Sequence, residues 1–179
     1  MFITTLITAT LLSLSITPFA SATPCCLPLP PDHHKKVIDL YTRTWNGEDA
    51  LLNKTFAPTA QLYSDRTPAA NGSEVHVIRS SQDILDFMHG AQTGWDKYQF
   101  EVAGWAGGDG GNIAVRWKLN GIIGEGFTIP TPLKQGDHVT YNGTDFLRVD
   151  ECTGLIKQVD IAQDYVTFFH NLGLTGINV

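Results

Sequence analysis

The chain has 179 residues, a formal net charge of −6 and only 12 basic side chains. Nucleic acids select basic surfaces, so this acidic composition excludes a typical nucleic-acid-binding protein. The length fits one domain with one hydrophobic core.

Residues 1–22 have the pattern of a secretory signal peptide. An apolar run from Ile3 to Ile16 precedes the small residues Ala20-Ser21-Ala22, which form a typical cleavage site. The run is shorter than the roughly 20 residues that a membrane-spanning helix needs. We therefore expect a secreted or lumenal protein without a membrane anchor, organised as a signal peptide (1–22), a proline-rich linker (23–31), one domain (32–174) and a C-terminal tail (175–179).

Sequons and cysteines agree with the secretory route. Three Asn-x-Ser/Thr sequons predict glycosylation at Asn53, Asn71 and Asn142. The three cysteines are too few and too badly spaced for a zinc site. In a secreted chain they predict a disulfide that joins Cys152 to either Cys25 or Cys26. Such a long closed loop contributes roughly 4–5 kcal/mol in the chain-entropy model.

The first half of the domain is predicted to be mainly helical. Asp32 is a candidate N-cap of the first helix. The apolar residues of this helix recur at helical spacing up to Trp45, and Asn46-Gly47 ends the helix. A short helix is predicted over 48–54, a strand over 60–65 and a loop over 66–73. Ser80 begins another helix, with Asp83 placed three residues later as a capping partner.

The second half is predicted to be a sheet. Strands are expected over 95–105 and 113–123, a loop over 124–136, and a hairpin from Tyr141 to Asp164 that turns near Cys152. A last amphipathic turn of helix follows over 165–172. Helices followed by an antiparallel sheet indicate an α+β domain.

Several segments resemble the SnoaL-like polyketide cyclases of the NTF2-like superfamily. The matching pieces cover nearly all of the predicted mature chain and are strongest in the final hairpin: Val37–Trp45 with Asn46-Gly47, Phe56-Ala57-Pro58, Ile84-Leu85-Asp86-Phe87, Gly143–Val149, Gly154–Gln158 and Asp164. The resemblance implies a cone, in which a curved antiparallel sheet packs against about three N-terminal helices. An apolar pocket is expected between them.

The resemblance also implies candidate acid/base residues. The SnoaL-like cyclases that the chain resembles use an acidic residue on the last strand and a histidine on the preceding strand. Here the acid position falls near Ile161, with Asp160 one residue earlier, and the histidine position falls on Asp145. Isomerase-like members of the superfamily carry their base after the first strand, where Asp65 follows Tyr63. For each carboxylate the alternative is an ordinary solvent-exposed residue; the apolar neighbours of Asp145 along its strand favour an inward position.

Other side chains extend this list. His138 lies at the start of the Asp145 strand, so that an inward strand would group it with Asp145 and Tyr63. Four aromatic residues are candidates for a substrate pocket or, alternatively, for plain core: Trp105, Trp117, Phe127 and Tyr141. Asp164 is expected to cap the last helix.

The leading interpretation is a cofactor-independent, metal-free cyclase, isomerase or dehydratase. It would move a proton at a carbon next to a carbonyl in a small apolar, polyketide-type or terpenoid intermediate. The alternative is a catalytically silent secreted module that binds a small molecule, or one that dimerises through its sheet face.

Overall fold

The computed structural model describes residues 29–30, 32–68, 75–108 and 110–174, with side chains except those of 65–68 and 75–76. The predicted signal peptide, most of the predicted linker and the predicted tail lie outside these residues. So do Asn71, Cys25 and Cys26.

The described residues form four α-helices and six strands. In chain order they are α1 (His33–Trp45), a 3₁₀ turn (Asp49–Leu51), α2 (Leu52–Thr55), β1 (Phe56–Pro68), β2 (Val75–Ile78), α3 (Ser81–Gln92), β3 (Trp95–Gly107), β4 (Asn112–Ile123), β5 (His138–Val149), β6 (Ile156–Gln163) and α4 (Tyr165–Asn171). Within the described ranges, no helix is both long and apolar enough to span a membrane.

The six strands form one curved sheet in the order β2-β1-β6-β5-β4-β3. The predicted α+β architecture, with helices packed on one sheet, is confirmed. The sheet is mixed rather than antiparallel throughout, because β1 and β6 run parallel, with Leu62 opposite Val159 and Ser64 opposite Ile161. The predicted hairpin of β5 and β6 forms as an antiparallel pair.

The sheet has two unlike faces. On β4 and β5, every odd-numbered residue from Ile113 to Ile123 and from Val139 to Val149 is buried, and the even-numbered residues are exposed or half-buried. This alternation is what a strand with one side against a core requires. We call the buried side the inner face and the other side the outer face.

Helix α1 is fixed to the inner face by its apolar stripe and by its C-terminal end. Its buried residues recur at helical spacing: Val37, Ile38, Tyr41, Thr44 and Trp45. Asn46 then exchanges two hydrogen bonds with the backbone of Phe100, accepting from its N–H at 2.8 Å and donating to its carbonyl at 3.0 Å. Asp32 precedes the helix but makes no side-chain cap bond, contrary to the sequence prediction.

Helix α3 begins with the predicted capping pair. The Oγ of Ser80 accepts a hydrogen bond from the backbone N–H of Asp83 at 3.1 Å and donates to its carboxylate at 2.6 Å. Ser80→Ala is expected to lower the free energy of unfolding by about 1 kcal/mol, because the first turn loses its acceptor. Urea denaturation measures the difference, and Ser80→Asp, which restores an acceptor, is the control. Equal stability of the alanine variant and the parent would contradict this prediction.

Candidate functional site

A carboxylate and a phenol meet in the interior between α1 and the sheet. The side chain of Asp145 is completely buried on the inner face of β5, and Tyr41 of α1 is also completely buried. The phenol Oη of Tyr41 donates a hydrogen bond to Oδ2 of Asp145 at 2.7 Å. A bond from a neutral donor to a carboxylate is short and strong when both groups are removed from water. This pair is the centre of the candidate site.

Local sequence patterns explain why these two groups meet. Asp145 occupies an odd-numbered position of β5 between the buried residues Gly143 and Leu147, so the strand turns its side chain inward. Its neighbours across the sheet are Val115 and Ile161, both buried. The inward position expected for Asp145 is therefore found.

The electrostatics of the pair favour a protonated phenol. Burial is the main cause that raises the pKa of Tyr41 well above its usual value, and the charge and hydrogen bond of Asp145 raise it further. The nearby indole of Trp45 opposes these effects and lowers the same pKa. Tyr41 thus acts as a permanent donor that holds one carboxylate oxygen of Asp145.

A continuous group of aromatic rings lies beside the pair. Phe100 stacks on Trp45 at 5.5 Å between ring centroids and packs at 5.1 Å against Trp117, which meets the edge of Tyr141 at 5.5 Å. Trp117 and Tyr141, both predicted pocket residues, are therefore neighbours in the interior. Both rings are part of the hydrophobic core cluster.

The other two predicted pocket residues lie elsewhere. Trp105 pairs with Val115 near one end of β4, is 44% exposed and packs edge-on against His34. Phe127 packs on Trp95, which pairs with Ile123 at the other end of β4. The two ends are separated by roughly 26 Å at about 3.3 Å per residue. The four aromatic residues therefore do not form one pocket.

Three predicted acid/base residues lie on the outer face. His138 is exposed because it is seven positions before Asp145, and an odd separation along a strand reverses the side. Tyr63 pairs with Asp160, and both are half-buried away from the core. The expected grouping of His138 and Tyr63 with Asp145 is therefore wrong.

Asp160 has ordinary surface partners. It accepts hydrogen bonds from Nε2 of Gln158 at 3.0 and 3.2 Å, and it borders a shallow outer-face cleft of about 480 Å³ beside Phe146 and Arg148. The solvent-facing interpretation of this carboxylate fits that placement. Asp65 lies on β1, and its side chain is outside the described part of the structure.

Sequence reasoning did not single out Tyr41 as a site residue. The residue was visible only as one member of the apolar stripe of α1. A polar hydroxyl in the middle of a stripe that faces the core requires a buried partner, and Asp145 was the one carboxylate predicted to point inward. Together, these two observations would have predicted a buried hydrogen bond between Tyr41 and Asp145.

The predicted modification sites are distributed as follows. Asn53 is exposed on α2, and Asn142 is half-buried on the outer face of the central strand β5. Cys152 lies in the turn between β5 and β6. Its pairing with Cys25 or Cys26, like the three glycans, stays a prediction. Within the described ranges, no three His, Cys, Asp or Glu side chains form a cluster that could hold a metal ion.

Asp164 caps α4, as the sequence predicted. Its carboxylate accepts from the backbone N–H of Thr167 at 3.0 Å and from the Thr167 hydroxyl at 2.7 Å. These two bonds hold the pKa of Asp164 below its usual value, so the group binds protons less readily in the folded chain than in the unfolded chain. Its stabilising contribution is present above the unfolded pKa and is lost as the pH falls through the folded pKa.

We therefore expect a measurable acid effect at this cap. Asp164→Asn keeps an oxygen acceptor but cannot titrate, so its stability should fall less steeply than that of the parent between roughly pH 5 and pH 2. Denaturant titrations across this pH range give both slopes. Parallel curves for the two proteins would contradict the assigned role of the cap.

Comparisons with known proteins agree with this architecture. No protein-family model and no curated protein matches the chain. Among solved structures, IdmH of Streptomyces antibioticus, a proposed polyketide cyclase, is similar with 20% identity and a TM-score of 0.65, over 78% of this chain and 97% of that one. A proposed SnoaL-like polyketide cyclase from Jannaschia sp. CCS1 is 12% identical with a TM-score of 0.63, over 88% and 99%.

A third similar structure is a proposed isomerase of the SnoaL-like family from Agrobacterium tumefaciens. It is 20% identical to this chain with a TM-score of 0.53, over 74% of this chain and 97% of that one. At these identities the likeness concerns the backbone, and it extends over nearly the whole length of each relative. The chain therefore shares the fold of these SnoaL-like structures, as the final hairpin and the helix order predicted.

Proposed function

We propose that this protein is a cofactor-independent cyclase, isomerase or dehydratase of the SnoaL-like type, acting on a small polyketide or terpenoid intermediate of secondary metabolism. The observation that carries the proposal is the completely buried Asp145, held by Tyr41 on the inner face. A carboxylate is costly to bury, and a fold seldom keeps one in its core without a use.

The geometry supports a specific division of roles. Asp145 is the acid/base that takes a proton from a carbon next to a carbonyl and returns it at another position. Removal from water favours the protonated form of a carboxylate, which makes it a better proton acceptor than an exposed one. Tyr41 is a positioning residue, because its hydrogen bond to Oδ2 fixes the orientation of the Asp145 carboxylate.

The similar structures and the apolar surroundings of the pair both support the proposed substrate class. Two of the similar structures are proposed polyketide cyclases, and a third is a proposed isomerase. Aromatic rings flank the pair on the inner face, and such rings suit a flat, apolar intermediate. We further propose that the enzyme acts in the secretory lumen or outside the cell, after removal of the predicted signal peptide.

The proposal is tested by comparing metabolites. The source organism is grown with and without the gene, and extracts and medium are compared by mass spectrometry. We expect one product to disappear and an uncyclised, unisomerised or hydrated precursor of related mass to accumulate. Identical metabolite profiles would refute the biosynthetic role.

We also propose a homodimer through the outer face. Phe146 is 50% exposed near the middle of the sheet, where a second copy would cover it. Phe146→Asp is then expected to convert a dimer into a monomer in analytical ultracentrifugation, with Val166→Asp, exposed on α4, as the control. A parent protein that sediments as a monomer would contradict this prediction.

A further inference from the structure

We propose that the indole N–H of Trp117 binds the carbonyl oxygen of the substrate, beside Asp145. The inference rests on the proposed function and names the group that would hold the oxygen while Asp145 moves the proton. It also defines the ligand class as flat, apolar ketones.

The first observation is a buried donor that lacks an acceptor. Trp117 is 3% exposed, and its Nε1 has no hydrogen-bond partner among the described residues. An indole N–H can only donate, and leaving it unsatisfied in a core is costly. A native protein that keeps such a group normally supplies its acceptor from water or from a ligand.

The second observation is the placement of the ring. Trp117 lies opposite Gly143 across the sheet, and its indole covers the space that a side chain at Gly143 would fill. A Cβ built at Gly143 would lie 2.5 Å from Cε2, the ring carbon that carries Nε1. Gly143 and Asp145 are successive inner-face positions of β5, so the donor and the carboxylate occupy adjacent positions of one surface.

The third observation is that the ring is held in place. Phe100 packs against Trp117 with ring centroids 5.1 Å apart, and Tyr141 packs at 5.5 Å. A donor fixed by its neighbours needs little rearrangement when charge develops on a bound oxygen.

A second indole lies nearby and has another role. The Nε1 of Trp45 also makes no hydrogen bond of standard geometry within the described structure, but its indole acts on Tyr41, whose pKa it lowers. The indole of Trp45 therefore interacts with Tyr41, the positioning residue. Trp117 is left as the donor for the substrate.

The proposed step balances without any further reagent. The carboxylate of Asp145 takes the proton of the C–H bond next to the carbonyl, and the electron pair of that bond forms a carbon–carbon double bond. The carbonyl π electrons move to oxygen, which accepts the hydrogen bond of Trp117. Asp145 then returns its proton in one of three ways. Reprotonation at another carbon gives an isomer, and attack of the enolate carbon on a second carbonyl gives a ring whose new alkoxide takes the proton. Loss of hydroxide, which takes the proton and leaves as water, gives a dehydrated product.

The test uses acetophenone and ethylbenzene, which differ mainly in the carbonyl. The indole N–H resonances of the four tryptophans are followed in ¹H–¹⁵N spectra, and Trp117→Phe identifies the resonance that it removes. We expect acetophenone to move the indole N–H proton of Trp117 downfield, because this proton then donates to the ketone oxygen. Ethylbenzene has no acceptor, so it should cause no such downfield shift. The other three indoles are internal references.

Affinity provides a second readout. Trp117→Phe keeps an aromatic ring and is expected to weaken acetophenone binding roughly fivefold, as the loss of one neutral hydrogen bond predicts, without changing ethylbenzene binding. If this variant does not fold, triple-resonance spectra of the parent assign the indole resonance of Trp117. The shift of that resonance in the parent then tests the proposed hydrogen bond.

Three results would overturn the inference: equal shifts with both probes, equal loss of affinity for both, or no binding of acetophenone at millimolar concentration. The proposed function fails differently. It fails if Asp145→Asn leaves turnover intact, whatever the Trp117 resonance does. An unmoved Trp117 resonance together with a turnover that depends on Asp145 would refute only the role of the indole.

Discussion

Asp145→Asn is expected to lower the turnover of the proposed reaction by roughly 10²–10⁴-fold, the range that a positioned general acid/base contributes. Asparagine has nearly the same shape, and its amide oxygen can still accept the hydrogen bond from Tyr41 that Asp145 now accepts at 2.7 Å. It cannot take up a proton at neutral pH. The loss should therefore appear in kcat, measured by single-turnover assays on the precursor that accumulates in the deletion strain.

The control for this prediction is Asp160→Asn. Asp160 lies on the neighbouring strand but on the outer face, where Gln158 is its partner. We expect this variant to retain the activity of the parent, because surface substitutions away from a site seldom have large effects. Equal activity of the Asp145 variant and the parent would remove Asp145 from the mechanism. Equal inactivation by both substitutions would point to the outer-face cleft instead.

The thermal stability of Asp145→Asn separates chemistry from folding. The substitution keeps the size of the side chain and its hydrogen bond from Tyr41, so we expect a stable fold. Tyr41→Phe is the complementary variant, because it leaves a buried carboxylate oxygen without its donor at a cost of about 1–3 kcal/mol. A stable but inactive Asp145→Asn protein is the result that assigns the carboxylate to catalysis.

The final hairpin shows what sequence patterns determine well. Alternation along 138–149 distinguishes buried from exposed residues, and it placed Asp145 inward because Leu147 and Val149 share its side. The same alternation, counted back seven residues, puts His138 on the outer face. The grouping of the two failed because it used proximity along the chain in place of the period of the strand.

Strand partners were harder to predict. The parallel pairing of β1 with β6 joins segments about 100 residues apart in the chain, and no local signal encodes such a contact. Strand β2, only four residues long, was not predicted, because it follows a polar loop and offers too few residues for a periodic pattern. The Tyr41–Asp145 contact was hard to predict for the same reason, since the two residues are 104 positions apart in the chain.

Phe100→Ala is expected to cost about 3–5 kcal/mol of folding free energy, because it removes a buried ring at the centre of the aromatic group. Phe100 is 2% exposed and contacts Trp45, Trp117 and Tyr41, the last at 5.9 Å between ring centroids. A domain of this size loses about 2–4 °C of Tm for each kcal/mol, so the transition should fall by roughly 6–20 °C. Differential scanning calorimetry measures it.

Phe100→Leu is the matched control, since it keeps an apolar side chain of moderate volume and should cost much less. The alanine variant also tests whether Phe100 positions the two indoles of the site. The ring separates Trp45 from Trp117, and its removal leaves both indoles without their shared neighbour, while Asn46 still holds the backbone of β3. We therefore expect the alanine variant to lose acetophenone affinity as well as stability. A variant that loses stability alone would show that the core holds the fold without positioning the donor.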